Sequence, residues 1–150
     1  MDMLYFYYHF KQDGEFSNFY DAPFYDENGL FFPTSEHYYQ YHKFIKTNTK
    51  VAEQIRTAKR PATAYRLSRQ FKDDVCADWD NIKVDVMRRA IYYKFTQNQH
   101  LKERLLSTQG MMLVENSPRD YFWGIGADKS GKNMLGKLLV ELCEHLKEQQ

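Results

Sequence analysis

Long apolar runs are missing from this 150-residue chain. None approaches the ~20 consecutive apolar residues that a bilayer-spanning helix needs, so no membrane segment is expected. Cysteine is scarce: Cys76 and Cys143 cannot make a disulfide framework and show no metal-ligand spacing. Met1-Asp2-Met3 lacks the basic and apolar regions of a secretory signal, and with so little cysteine a reducing setting, cytoplasmic or nuclear, is expected, cytoplasmic being preferred. Excess charge of one sign is absent too. The 21 Lys and Arg against 20 Asp and Glu leave a formal net charge of +1. That argues against a dedicated duplex-DNA binder, which needs a basic footprint, but leaves room for a small nucleotide ligand or a local basic groove. Glycine and proline are few, 7 and 4, and no repeat, low-complexity run or linker is visible. The length suits one domain, expected to span residues 1–150.

What the chain has is aromatic rings: 12 Tyr, 11 Phe and 2 Trp, 17% of its residues. They supply a core without many aliphatics, and the tyrosines need partners for their polar ends. Leu4–Tyr8 reads as a strand, and Phe24-Tyr25 with Leu30-Phe31-Phe32 as a hairpin turned at Asn28-Gly29. Thr34 is positioned to cap a helix running to about Lys46, with Tyr38, Tyr41 and Ile45 docking it. A second helix begins after Asn48 or Thr49. A third opens at Pro61 with Tyr65, Ser68 and Phe71 along one side. Asp78 is the expected cap of a fourth helix, Trp79 to about Phe95, burying Ile82, Val86, Met87, Ala90 and Ile91. A fifth helix follows Asn98 and stops at Gly110, Met111–Glu115 is a strand, and a leucine-striped helix starts near Asn133. The fold class expected is α+β, predominantly helical, with a few short antiparallel strands.

The sharpest chemical pattern is on the first helix. Glu36, Gln40 and Lys43 recur at i, i+4 and i+7 and share one face, spanning ~10 Å of axis. Spacing alone favours the plainer reading, a solvated polar ladder. A second cluster runs from Leu113-Val114-Glu115 through Ser117-Pro118 and Asp120 to Trp123-Gly124. There a strand delivers Glu115 to its end, and a flat ring lies beside backbone that bears no side chain. The plainer alternative is a turn made by Asp120 and a core Trp123. Trp79 is either a hydrophobic anchor or a stacking platform, and Lys83 and Lys94 read singly as surface charges.

Several other signals fall short. Gly126 to Asn133 matches a phosphate-binding P-loop except at its last position, where Asn133 replaces the magnesium-binding hydroxyl. With one helix left after it, no later strand delivers a second magnesium-site Asp, so a nucleoside-triphosphatase is excluded. An anion cradled by the amides of Gly131 to Asn133 remains open. The five histidines show no metal-binding spacing, and no Gly-x-Ser-x-Gly elbow is present.

Blocks of residues in order extend the picture: Phe16-Ser17-Asn18-Phe19, Ser35-Glu36-His37-Tyr38-Tyr39-Gln40, Lys43-Phe44, Trp79 with Lys83 and Met87, Lys94-Phe95 and Asn98. They continue with Leu113-Val114-Glu115, Ser117-Pro118, Asp120, Trp123-Gly124-Ile125-Gly126 and Gly131-Lys132-Asn133-Met134-Leu135-Gly136. Along nearly the whole chain this resembles the NADAR superfamily of YbiA-like proteins. One departure is Cys143, where that family often carries Arg. The resemblance implies a compact, mostly helical domain that cleaves N-glycosidic bonds. The implied substrates are early riboflavin-pathway intermediates carrying ribose phosphate, or ADP-ribosylated guanine in nucleic acid. By the family pattern Glu36, Lys43, Trp79, Glu115, Asp120 and Trp123 line the active site.

The chemistry so implied asks for few parts. As the base departs, positive charge builds on ribose, and a carboxylate near the anomeric carbon stabilises it and orients water. Glu36 or Asp120 suits that task, with Glu36 preferred because a helix fixes its direction. Trp79 and Trp123 suit stacking on the base, and Gln40 or Asn98 its hydrogen-bonding edge. Lys83, Lys94 or the Gly131 turn suits a phosphate, with Glu115 and Gly124 as further contacts. Lys43 acts as a cation or as a Schiff-base amine. Neither scheme demands a metal or a cofactor. The rival reading is a non-catalytic sensor that binds ADP-ribose or a related nucleotide.

Overall fold

The structure is a computed structural model and describes residues 2–150. Its elements, in chain order, are β1 (Met3–Phe6), β2 (Phe24–Tyr25), β3 (Phe31–Phe32), α1 (Ser35–His42), α2 (Thr49–Arg56), α3 (Pro61–Gln70), α4 (Trp79–Gln97), α5 (Gln99–Leu106), β4 (Met112–Glu115) and α6 (Met134–Glu148). The class is α+β and predominantly helical. One expectation needs correcting: the strands are not all antiparallel. β2 and β3 form the antiparallel hairpin, but β1 pairs with β4 in parallel, with Met3 opposite Met112 and Phe6 opposite Glu115. A parallel pair needs a long crossover, and the β1–β4 connection holds helices rather than a tight turn. Among the described residues no helix is long and apolar enough to cross a membrane.

The chain divides into two compact units. In Asp21–Asn98, α1 is the hub, packing against α2, α3 and α4. Thr34 caps it: the hydroxyl oxygen accepts from the His37 amide at 3.1 Å and lies 2.7 Å from His37 Nδ1. The other ring nitrogen of His37 reaches the Ala58 carbonyl at 2.9 Å, so this buried histidine ties α1 to the end of α2. Burial holds its pKa below the usual histidine range. All seven residues Ser35–Tyr41 are buried, so α1 is not the solvated ladder that spacing alone favours. It also ends earlier than Lys46, because Lys43 and Phe44 donate back to the carbonyls of Gln40 and Tyr41 and tighten the last turn.

The other helices follow their signals with local differences. Asn48 accepts from the Val51 amide at 3.2 Å and starts α2. Pro61 opens α3, which buries Ala64 and Ser68 while Tyr65 stays exposed. Asp78 does not cap α4 with its side chain; its carboxylate accepts instead from Lys46 at 3.1 Å. On α4, Val86, Met87, Ala90 and Ile91 are buried as expected, but so is Lys94, at 0% exposure. Lys94 is therefore no surface charge.

The second unit comprises residues 2–20 with Gln99–Gln150. Here α6 lies on β4 and α5, with Leu135, Leu138, Leu139, Leu142 and Leu146 buried. The approach is close: a Cβ on Gly136 would collide with the Leu113 carbonyl oxygen. Asn133, immediately before α6, locks β4 in place. Its Oδ1 accepts from the Glu115 amide and its Nδ2 donates to the Leu113 carbonyl, both at 2.9 Å.

Candidate active site

Helix α1 sets three polar groups in a row. Glu36 is 7% exposed and Gln40 3%. Gln40 Nε2 donates to Glu36 Oε2 at 2.7 Å, a charge-assisted bond across one helical turn. Gln40 Oε1 is buried and has no hydrogen-bond partner among the described residues. A buried amide oxygen left in this state is ready to accept from a bound molecule. Glu36 also sits in the first turn, where the helix dipole favours a carboxylate.

Lys43 closes the row. Its ammonium donates to Ser68 Oγ of α3 at 3.3 Å. It lies 5.3 Å from the ring centre of Tyr39 and 5.8 Å from that of Trp79. Those two rings meet edge to face at 5.0 Å. Burial pushes the Lys43 amine below the ordinary lysine range; Glu36 opposes this, while Arg69 and Lys83 reinforce it. Lys83 itself lies one turn along α4 from Trp79, with its ammonium 3.2 Å from Asp80. So the unit of Asp21–Asn98 brings together Glu36, Gln40, Lys43 and Trp79. Tyr39 and Ser68 belong with them; in the sequence Ser68 marks only one side of the third helix and Tyr39 only part of a motif block, and neither is a site candidate there. A serine on the inward side of a helix was the available signal for Ser68; Tyr39 gave none beyond its neighbours.

Asn98 does not join this group through its amide nitrogen. It donates to the Pro23 carbonyl at 3.0 Å and the Lys94 carbonyl at 2.9 Å, which makes it a tie between the end of α4 and the start of β2.

In the other unit, β4 delivers Glu115 to its end. The Glu115 carbonyl accepts from Ile125 N at 3.1 Å. Gly124 is packed against Glu115: an added Cβ would sit 3.0 Å from Glu115 Oε2 and 2.9 Å from its carbonyl oxygen. Ser117 Oγ accepts from the amides of Arg119 and Asp120, and Asp120 Oδ1 accepts from Phe122 at 2.9 Å and Trp123 at 2.7 Å. One oxygen of Asp120 thus shapes the turn. Trp123 is buried, its ring edge to face with Phe122 at 4.8 Å. The anion cradle at Gly131 to Asn133 is closed. The amides of Gly131, Lys132 and Asn133 donate to the carbonyls of Ile125, Tyr121 and Gly124, and those of Met134 and Leu135 to Phe122 and Trp123. No N–H in that run is left for a phosphate.

These features define a mainly helical α+β protein with a buried carboxylate, an amide and a desolvated amine beside aromatic rings. The model of the NADAR domain matches residues 5–147, and the chain belongs to that family. It is 41% identical over 133 residues to "N-glycosidase YbiA" of Escherichia coli (strain K12), covering 89% of this chain and 81% of that protein. It is 45% identical over 141 residues to "Riboflavin biosynthesis protein PYRR, chloroplastic" of Zea mays; the match covers 86% of this chain but only 23% of that relative. The solved NMR structure of the E. coli protein YbiA superposes with a TM-score of 0.89 at 38% identity, covering 99% of this chain and 86% of that one.

Proposed function

We propose that this chain hydrolyses the N-glycosidic bond of a ribosyl phosphate or ADP-ribosyl conjugate, either a riboflavin-pathway intermediate or ADP-ribosylated guanine in nucleic acid. The broader class rests on relatives named N-glycosidase, 41% and 38% identical to it: this chain is a hydrolase acting on N-glycosyl bonds. The observation that carries the mechanism is the buried pair of Glu36 and Gln40, one oriented by the other.

In this reading the C1′–N bond breaks, its electron pair leaves with the nitrogen, and ribose becomes cationic. Glu36 stabilises that charge and takes a proton from the water whose oxygen bonds to C1′. The departing nitrogen takes up a proton as the base is released. Gln40 Oε1 accepts from an N–H or O–H of the substrate. Trp79 and Tyr39 flank the heterocycle, and Lys83 serves a phosphate. In the second unit, Glu115 and Trp123 are assigned to substrate binding. There Asp120, with Gly124, acts by holding the turn around Trp123.

Lys43 supports a second chemistry, favoured by its burial. A desolvated amine is more often neutral, and a neutral amine is a nucleophile. With the ribose opened to its imine, the Nζ lone pair adds to C1′ and the base leaves as its amine. Water then hydrolyses the C1′–Nζ imine to the free sugar aldehyde and lysine. Borohydride added during turnover traps that imine as a stable adduct on Lys43; the absence of any adduct assigns Lys43 to charge alone. The substrate class is tested by incubating the protein with ribosylated pyrimidine phosphates and with ADP-ribosylated guanine in single-stranded DNA, and weighing the products. Release of a free base from neither overturns the proposal.

A further inference from the structure

We infer that the unit of residues 2–20 with Gln99–Gln150 carries a second ligand site, built for an aromatic heterocycle bearing a phosphate. A cavity of about 420 Å³ opens in this unit, within the ~300–1,000 Å³ of small-molecule sites. Its lining includes Tyr5, Tyr8, Lys11, Gln12, Asn116 and Lys129, and no Asp or Glu is part of it. None of the residues given a role in glycoside cleavage lines it either. The site therefore stands apart from that reading.

The chemistry of the lining is specific in combination. Tyr5 is 47% exposed and Tyr8 50%, so these rings are not spent on the core. Lys11 Nζ lies 5.4 Å from the Tyr8 ring centre, which puts a cation beside a stacking surface. Neither Lys11 nor Lys129 has a carboxylate partner among the described residues. Gln12 and Asn116 add amides that read the edge of a base. A purely apolar ligand would leave both ammonium groups unused. A bare anion would leave the rings unused. A nucleotide unit engages both, by stacking and by ion pairing.

The walls are also held in place. Lys11 N donates to the Tyr8 carbonyl at 3.2 Å, and Gly14 N to the Lys11 carbonyl at 2.9 Å. Just beyond, Arg104 of α5 bonds Asp13 at 2.5 Å and Glu15 at 3.1 Å. Asn116 N donates to the carbonyl of Phe6, another lining residue, at 2.8 Å. A preformed cavity loses less entropy on binding than one that must be ordered.

The test is a titration of the 15N-labelled chain, and of its Glu36→Gln variant, with uridine 5′-monophosphate. The expected result is saturable amide shifts at residues 5–12 and 126–129 in both proteins. Uridine alone and inorganic phosphate alone each bind about tenfold more weakly or worse, since each engages half of the lining. Lys11→Gln with Lys129→Gln weakens binding about tenfold, and Tyr8→Leu does likewise, with Tm unchanged. A five-residue oligo(dT) separates the sources. Tighter binding with a steep salt dependence identifies a nucleotide within a strand; binding no tighter than the mononucleotide identifies a free nucleotide. The inference is overturned if the shifts fall around Glu36 in place of residues 5–12 and 126–129, if no saturable binding occurs at millimolar nucleotide, or if the lysine substitutions change nothing. Loss of the cleavage assignment for Glu36 would leave the shifts at residues 5–12 intact, so the two failures are distinguishable.

Discussion

The amide nitrogen of Gln40 donates to the carboxylate of Glu36 at 2.7 Å inside a helix whose polar face is buried. This bond fixes the carboxylate, and the opposite amide oxygen has no hydrogen-bond partner among the described residues. Gln40→Ala removes both functions. We expect kcat/KM for base release to fall by about 10- to 100-fold, the cost of one hydrogen bond to a charged group. Gln40→Glu should do worse, because a second buried carboxylate repels Glu36. Steady-state kinetics, with circular dichroism to confirm folding, measures both.

Lys43 is expected to set the basic side of the pH profile if its amine is the nucleophile. Its amine titrates below the ordinary lysine range because it is desolvated. If the neutral amine attacks, kcat/KM rises with pH and levels off at an apparent pKa below 10.5, the ordinary lysine value. Lys43→Arg keeps a charge but removes the nucleophile. It should abolish both the rising limb and the borohydride adduct. A variant that retains near-normal activity assigns Lys43 to charge alone.

His42 makes the fold acid-sensitive. Burial and the nearby Arg89 lower its pKa from 6.5 to about 4, and its Nε2 is buried without a hydrogen-bond partner among the described residues. The unfolded chain therefore takes up a proton first as pH falls. Stability is full above about 6.5, declines as pH drops towards about 4, and levels off below it. The loss approaches ~3 kcal/mol for this group. Replacing the ring by His42→Phe should flatten the Tm curve between these limits. An unchanged slope contradicts the assignment.

Gly136 is where α6 meets β4 with no room for a side chain. Gly136→Ala forces the Leu113 carbonyl and the helix apart and should cost ~1–3 kcal/mol. Asn133→Ala removes the two bonds that hold Leu113 and Glu115 and should cost about 2 kcal/mol. Urea unfolding of each variant reads these values directly.

Local signals were legible in the sequence. Thr34, Asn48 and Pro61 begin the helices expected of them, and the leucine stripe of α6 is buried as drawn. Long-range facts were not. The parallel partner of β1 lies over a hundred residues away, and a short apolar run carries no mark of partner direction. Burial of α1 was hidden because its face is polar, and hydrophobic periodicity cannot report a polar face turned inward. For the same reason Lys94 looked like a surface charge. The Gly131 turn looked open to an anion because nothing local shows that carbonyls of residues 121 to 125 take its amides. Of the site, the Glu36, Gln40 and Lys43 row was read from helical spacing, while Ser68 and Tyr39 emerged only from packing.

The most direct test of the account is single-turnover base release by Glu36→Gln on a substrate the native protein converts. An isosteric amide keeps the shape of the side chain and removes its charge. The account predicts native-like substrate binding with release slowed by about 100-fold or more. Release within a few-fold of the native rate would contradict it, because the ribosyl cation would then form without the carboxylate.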